Sequence, residues 1–198
     1  MVTDVLAARV SNADPDDRAD VLTILTAAFE SDAAVRALYP GRDAYRAWFP
    51  GFAETFARRA FVRGRIDRID GLGAAVWFPP GLHPDGDAIG AYLEATIPPE
   101  RLGPLAAGME LQGRFHPEEP HWYLPWIGVR PEAQGRGIGA ALLAHGLERA
   151  DRDGMPAYLE ATSRRNAALY ARHGFEIIGV VESPGYPEIL PMRRPPRG

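Results

Sequence analysis

The chain has 198 residues, 46% of them hydrophobic, no cysteine and a formal net charge of −4. That length can bury a sizeable core in one compact domain, while the negative balance excludes capture of nucleic acid by an overall positive field. Without cysteine there is no disulfide, thiolate metal site or cysteine nucleophile.

The N-terminal "MVTDVLAARVSNADPDD" lacks the basic-then-apolar order of a secretory signal. No stretch reaches the roughly 18 consecutive apolar residues of a membrane span. The expectation is a soluble cytoplasmic protein, monomer or homodimer, without membrane or nucleic-acid partners. Residues 5–10 read as a short first strand. Asp14 then serves as N-cap and Pro15 as first residue of a helix, with Val21, Leu22, Leu25 and Phe29 at helical spacing. A second helix carries Trp48, Phe52 and Phe56 as a packing stripe, with Pro50 starting or bending it. "RIDRID-GLG-AAVWFP" reads as a hairpin, and residues 86–115 as two modest helices.

After the Pro-rich "HPEEP", the second half orders as strand, glycine loop, helix, strand, helix, strand, strand. "HWYLPWIGV" is the strong strand, with Trp122, Leu124 and Trp126 on one face and Tyr123 and Ile127 on the other. A helix follows over about 136–152, then "PAYLEAT" as a strand and "SRRNAALYARHG" as a short helix ended by Gly174. "FEIIGVVE" and "EILPMRR" close the chain as two strands. Only the tail 193–198 reads as disordered. This alternation calls for helices layered on a sheet, an α/β or α+β architecture. His116 and His121 flank two glutamates, yet a Pro-rich connector reads as solvated loop rather than a metal site; no metal is expected.

The segment "IGVRPEAQGRGIGAALL" (127–143) carries the chemistry. Amides from about Arg136 to Ala140 start a helix, lack intrahelical acceptors and converge on one anion, to which Arg136 can add a charged hydrogen bond. "GRGIGA" also fits a dinucleotide fingerprint, with Glu160 about 20 residues on as the ribose acid. Context excludes it: "RPEAQ" separates strand from glycines, and too little chain follows for a doubly wound sheet. A P-loop fails for want of G-K-[ST].

The full pattern Val129, Pro131, Gln134, Gly135, Gly137, Gly139 resembles the coenzyme-A loop of the GNAT acyltransferase superfamily. That resemblance implies a mixed, mainly antiparallel sheet of about six or seven strands flanked by helices, with a splayed cofactor-binding strand pair. It implies acetyl-CoA as acyl donor. Ile127, Gly128 and Val129 would pair with pantetheine, and Gln134, Gly135, Arg136, Gly137, Ile138, Gly139 and Ala140 would wrap the pyrophosphate. "NAALYARHGF" matches a second GNAT segment, placing Asn166 against the cofactor and Tyr170 as proton donor to the departing sulfur. The segment from "HPEEPHWYLPWIGV" to "YARHGFE" (116–176) resembles the puromycin N-acetyltransferase-like branch of small-molecule enzymes.

Glu160 is a candidate base for the amine, directly or through water, and the oxyanion donor is a backbone N–H around 127–129. Pro125, lacking an N–H, makes a bulge plausible there. Ser163 is the convenient hydroxyl near these motifs and has no evident histidine partner, so direct transfer to a small-molecule amine is expected. "ESDAAV", with Glu30 and Asp32, departs from the puromycin branch and suits a cationic acceptor.

Overall fold

The computed structural model describes residues 10–197, so the strand expected over 5–10 falls outside the described residues. β1 is Ser11–Asn12. A capping box between Asp14 and Asp17 opens a 3-10 turn at Pro15–Asp17, which leads into α1 (Arg18–Ala28). There follow α2 (Ala33–Leu38), α3 (Arg42–Arg63), β2 (Arg65–Ile69), β3 (Gly73–Phe78), α4 (Gly86–Thr96) and α5 (Pro99–Gly113). The second half contains β4 (Trp122–Val129), α6 (Ile138–Arg152), β5 (Ala157–Ala161) and α7 (Arg164–Arg172). β6 (Glu176–Ile177), β7 (Val181–Ser183) and β8 (Tyr186–Arg194) complete it.

The strands form one eight-stranded sheet in the order β1-β2-β3-β4-β5-β8-β6, with β7 added beside β8. Every pairing is antiparallel except β4 with β5. The sheet exceeds the six or seven strands expected because "FEIIGVVE" breaks into β6 and β7. Each of these short strands pairs with a different part of β8: β6 with Met192 and Arg193, β7 with Tyr186 and Ile189.

Two layers cover the sheet. One face packs under α1–α5, with Ile66, Ala74, Val76, Phe78, Tyr123, Trp126 and Tyr158 pointing into it. The other packs under α6 and α7, with Ala75, Trp77, Trp122, Leu124, Leu159 and Met192. The strict alternation along β3, all of it buried, marks a central strand sandwiched on both sides.

Three sequence expectations are corrected here. Pro50 does not start its helix: α3 runs from Arg42 to Arg63 with the proline in its interior. Trp48, placed in the packing stripe, is 43% exposed, while Phe52 is buried. The tail is ordered through Arg197, because Arg194 is buried in β8 and forks onto Asp151 at 2.7 and 2.8 Å. The Arg197 amide donates to the same carboxylate.

Candidate active site

The site begins with an interruption in β4. From Val76 to Phe78 β3 advances two residues, while their partners Trp126 and Tyr123 are three apart. β4 therefore holds one extra residue at Leu124–Pro125, a bulge where the proline has no N–H to give the ladder. The bulge resets the alternation. Trp126, expected beside Trp122 and Leu124, turns instead to the Tyr123 face, and Ile127 packs with the opposite core. There Trp126 sits edge-on among Phe29, Phe49, Phe52 and Phe56, with ring centres 5.0–6.1 Å away.

β4 and β5 pair only at Trp122↔Ala157 and Tyr123↔Tyr158, and then part. Beyond the fork, β4 keeps β3 and β5 keeps β8, so the facing backbone edges are left without each other. Alternation shows which groups face the gap. The Arg130 amide donates to Leu72 on the β3 side, so Gly128 and Trp126 also turn that way, whereas Val129 and Ile127 turn toward β5. In agreement, the Val129 carbonyl is free to accept from the Gln134 side chain at 3.1 Å. Gly128 thus borders the gap without offering its backbone to it. Its missing side chain lets α1 lie on β4, since a Cβ would fall 2.7 Å from that of Ala28.

The gap opens into a cleft of about 820 Å³. Its walls include Ile127, Gly128, Val129, Gln134, Gly135, Gly137, Ile138, Gly139, Asn166 and Tyr170, bringing together ten of the thirteen residues expected at the site. At its mouth Gly135 and Gly137 take φ values of +75° and +82°, a left-handed pair that only glycine adopts without strain. Gly137 is the N-cap of α6 and supplies no side-chain cap. The amides of Ile138, Gly139 and Ala140 therefore have no acceptor among the described residues. Open space surrounds a Cβ built at Gly135, so its backbone conformation, rather than packing, requires glycine there.

Three expected residues lie off the wall. Ala140 presents only its amide, and the Arg136 guanidinium donates to the Glu132 carbonyl at 2.9 Å. Glu160 shares the Tyr158 face of β5. Its carboxylate, nearly buried, lies 3.9 Å from His116 and raises the pKa of Tyr123 and Tyr158, adding to the larger effect of their burial. His121 is held neutral chiefly by burial, with Nδ1 2.8 Å from the Glu119 carbonyl.

Tyr170, on α7, is buried, and its hydroxyl has no hydrogen-bond partner among the described residues. Burial first, and then the charge of Asp32, push its pKa well above the ordinary phenol value, so it stays protonated at neutral pH. Ser163, the hydroxyl considered earlier as a nucleophile, is occupied as N-cap of α7, accepting from the Asn166 amide at 3.2 Å. Asn166, one turn before Tyr170, also borders the cleft.

The structure adds residues that the motifs omit. Arg165 and Arg172 line the cleft seven residues apart on α7, a spacing visible in the sequence as one helix face. Asp32 and Thr162 line it as well, joined by a 2.5 Å hydrogen bond across 130 residues, which no local pattern announces.

A parted strand pair, an amide-lined helix start and a buried tyrosine beside the gap define the class: an acyltransferase fold. The chain belongs to the acetyltransferase (GNAT) family, whose pattern matches residues 43–175. It is similar to the mycothiol acetyltransferase of Streptomyces coelicolor, 29% identical over 150 residues, which cover 72% of this chain and 42% of that protein. The Paenarthrobacter aurescens mycothiol acetyltransferase is 30% identical over 152 residues, with the same coverage of each. The chain thus spans about two-fifths of the length of these curated relatives.

Among solved structures, one from Corynebacterium glutamicum, described as histone acetyltransferase HPA2 and related acetyltransferase, aligns with a TM-score of 0.69. It is 31% identical and covers 96% of both chains. The arylalkylamine N-acetyltransferase 2 of Aedes aegypti shares the fold at a TM-score of 0.66, with 15% identity and coverage of 96% of this chain and 99% of its own. Among the described residues no helix is long and apolar enough to cross a membrane.

Proposed function

We propose that the protein transfers the acetyl group of acetyl-CoA directly to the primary amine of a small molecule. The observation that carries this reading is the fork between β4 and β5. It leaves the Ile127 backbone and the Val129 amide without a strand partner in a cleft that also holds free helix-start amides and the Tyr170 hydroxyl. The fit to the cofactor is chemical at each point. Unpaired strand amides suit pantetheine, and the Gly135–Ala140 amides at the positive end of α6 suit a diphosphate. Arg165 and Arg172 add charge along the same wall. Bound there, acetyl-CoA supplies an activated thioester.

The chain's own groups then have distinct tasks. A β4 amide facing the gap stabilises the oxyanion. Tyr170, a weaker acid than a thiol at its raised pKa, acts by donating a hydrogen bond to the developing thiolate rather than by giving up its proton early. Glu160, just past the fork on the opposite face from Tyr170 and 3.9 Å from His116, receives the amine's proton through water. With no cysteine, and with Ser163 occupied as a cap, no nucleophile favours a covalent acyl-enzyme. The curated relatives are named for a small molecule, which supports an acceptor of that size.

Calorimetry with coenzyme A tests the cradle. Gly137→Val forces a branched residue into the left-handed region and is expected to weaken binding roughly tenfold or more. Initial-rate patterns across an amine panel should intersect, as in sequential kinetics. Parallel lines would overturn direct transfer. Binding without turnover on any amine would make the protein a coenzyme-A sensor instead, and turnover confined to peptides would move the acceptor to protein.

A further inference from the structure

Two acidic residues occupy the "ESDAAV" connection between α1 and α2, and their surroundings differ. Glu30 faces outward to Arg42 and Arg46, at 3.6 and 3.8 Å. Asp32 faces inward. It is the one acidic side chain on the cleft wall, and among the described residues no basic group lies within 4 Å of it. One of its oxygens accepts from the Ala34 and Val35 amides at 3.0 and 3.1 Å, the other from the Thr162 hydroxyl. The Thr162 bond ties the α1–α2 connection to the end of β5, across the open side of the fork.

Burying a carboxylate without a counter-charge is unfavourable, and three neutral donors offset that only in part. Burial accordingly dominates its titration and raises its pKa, against the opposing hydrogen bonds from Thr162, Val35 and Ala34. The oxygen bonded to Thr162 retains a lone pair for a further donor, whereas the other is filled by the Ala34 and Val35 amides. The same cleft wall also carries Arg165, Arg172 and the α6 amides, none of them paired with Asp32. Asp32 is also close enough to Tyr170 to act on its titration, which places this negative charge beside the hydroxyl assigned to the leaving sulfur.

We propose that Asp32 is the acceptor-recognition residue: its carboxylate takes the ammonium group of a cationic amine, so that the acceptors are aliphatic amines protonated in water, selected over neutral aryl amines and alcohols. This rests on the acetyl-transfer reading of the same cleft and names its substrate class.

The test uses two isomers of equal size, benzylamine, an ammonium near neutral pH, and p-toluidine, which is neutral there. Each is titrated by NMR into the full chain with and without coenzyme A. Benzylamine should bind roughly tenfold more tightly than its isomer, as a half-buried charge pair implies. Asp32→Asn should bring the two within about twofold. The asparagine oxygen can still cap α2 and its amide can still reach Thr162, so coenzyme-A affinity and the thermal midpoint should stay at wild-type values. Equal binding of the isomers by the wild type, or a preference that survives Asp32→Asn, overturns the proposal. Failure of coenzyme A to bind would overturn the acetyl-transfer reading separately, because the isomer preference is also read on the unloaded chain.

Discussion

Replacing Tyr170 by phenylalanine removes one oxygen from a site where that oxygen has no protein partner. The ring is buried between α7 and the sheet, 6.1 Å from the Phe175 ring centre, and that packing survives the substitution. The folded protein should therefore lose little, with a thermal midpoint within about 2 °C of wild type, since the hydroxyl faces the cleft and makes no hydrogen bond to the described residues. The catalytic cost follows from what the hydroxyl meets. A hydrogen bond to an ionised group contributes about 1.5–3 kcal/mol, and each 1.36 kcal/mol is tenfold in rate. Tyr170→Phe should thus lower kcat about 10- to 150-fold with little change in the KM for acetyl-CoA, because the bond strengthens only as the sulfur acquires charge. Thiol release measured with a chromogenic disulfide gives kcat directly. A kcat within twofold of wild type at saturating amine and thioester would refute the assignment, and a fall in thermal midpoint matching the activity loss would refute the argument that the hydroxyl is structurally idle.

Two further predictions concern what holds the cleft in place. Asp67 is fully buried and grips Arg149 of α6 through both oxygens, at 3.0 and 2.5 Å, with His145 Nε2 3.7 Å away. Asp67→Ala strands the guanidinium and should cost about 3–5 kcal/mol, or about 10 °C in thermal midpoint for a chain of this size. The double change Asp67→Leu with Arg149→Met should recover most of that, and an equal loss in single and double variants would refute the reasoning. The second prediction is a pH dependence. The Arg194 hydrogen bonds, partly opposed by burial and aided by the Arg197 amide, hold the Asp151 carboxyl below its ordinary value. A carboxyl depressed in the folded state contributes stability that is complete above about pH 4 and is lost as pH falls toward the lower folded value. Arg194→Ala should flatten the acid limb of thermal midpoint against pH, and unchanged slopes would sink the idea.

The legible parts of the site share one property: each is set by neighbours within a few residues. Gly135, Gly137 and Gly139 mark the loop that opens an anion-binding helix, and Asn166 and Tyr170 fall one turn apart on a helix whatever surrounds them. Pro125 likewise signalled a break in the ladder, but not its consequence. The bulge turned Trp126 to the other core, and strand alternation read from sequence carries every later side chain to the wrong face once one residue is inserted. The C-terminal arginines were misread for a related reason. A Pro/Arg tail looks unstructured unless Asp151, 43 residues earlier, is known to receive Arg194.

The sequence by itself determined most of the longer strands and helices, the anion-binding helix start and the family to which these belong, because such features follow from backbone preferences and short-range spacing; it missed the short α2 and the break between β6 and β7. Only the tertiary structure decided where β4 and β5 part, which of the strand amides face the gap, that Glu160 lies on the far side of the fork, and that Asp32 rather than Glu30 enters the cleft. Those outcomes depend on contacts between segments as much as 130 residues apart. The geometry and solvation of such contacts are fixed only when the whole chain has packed.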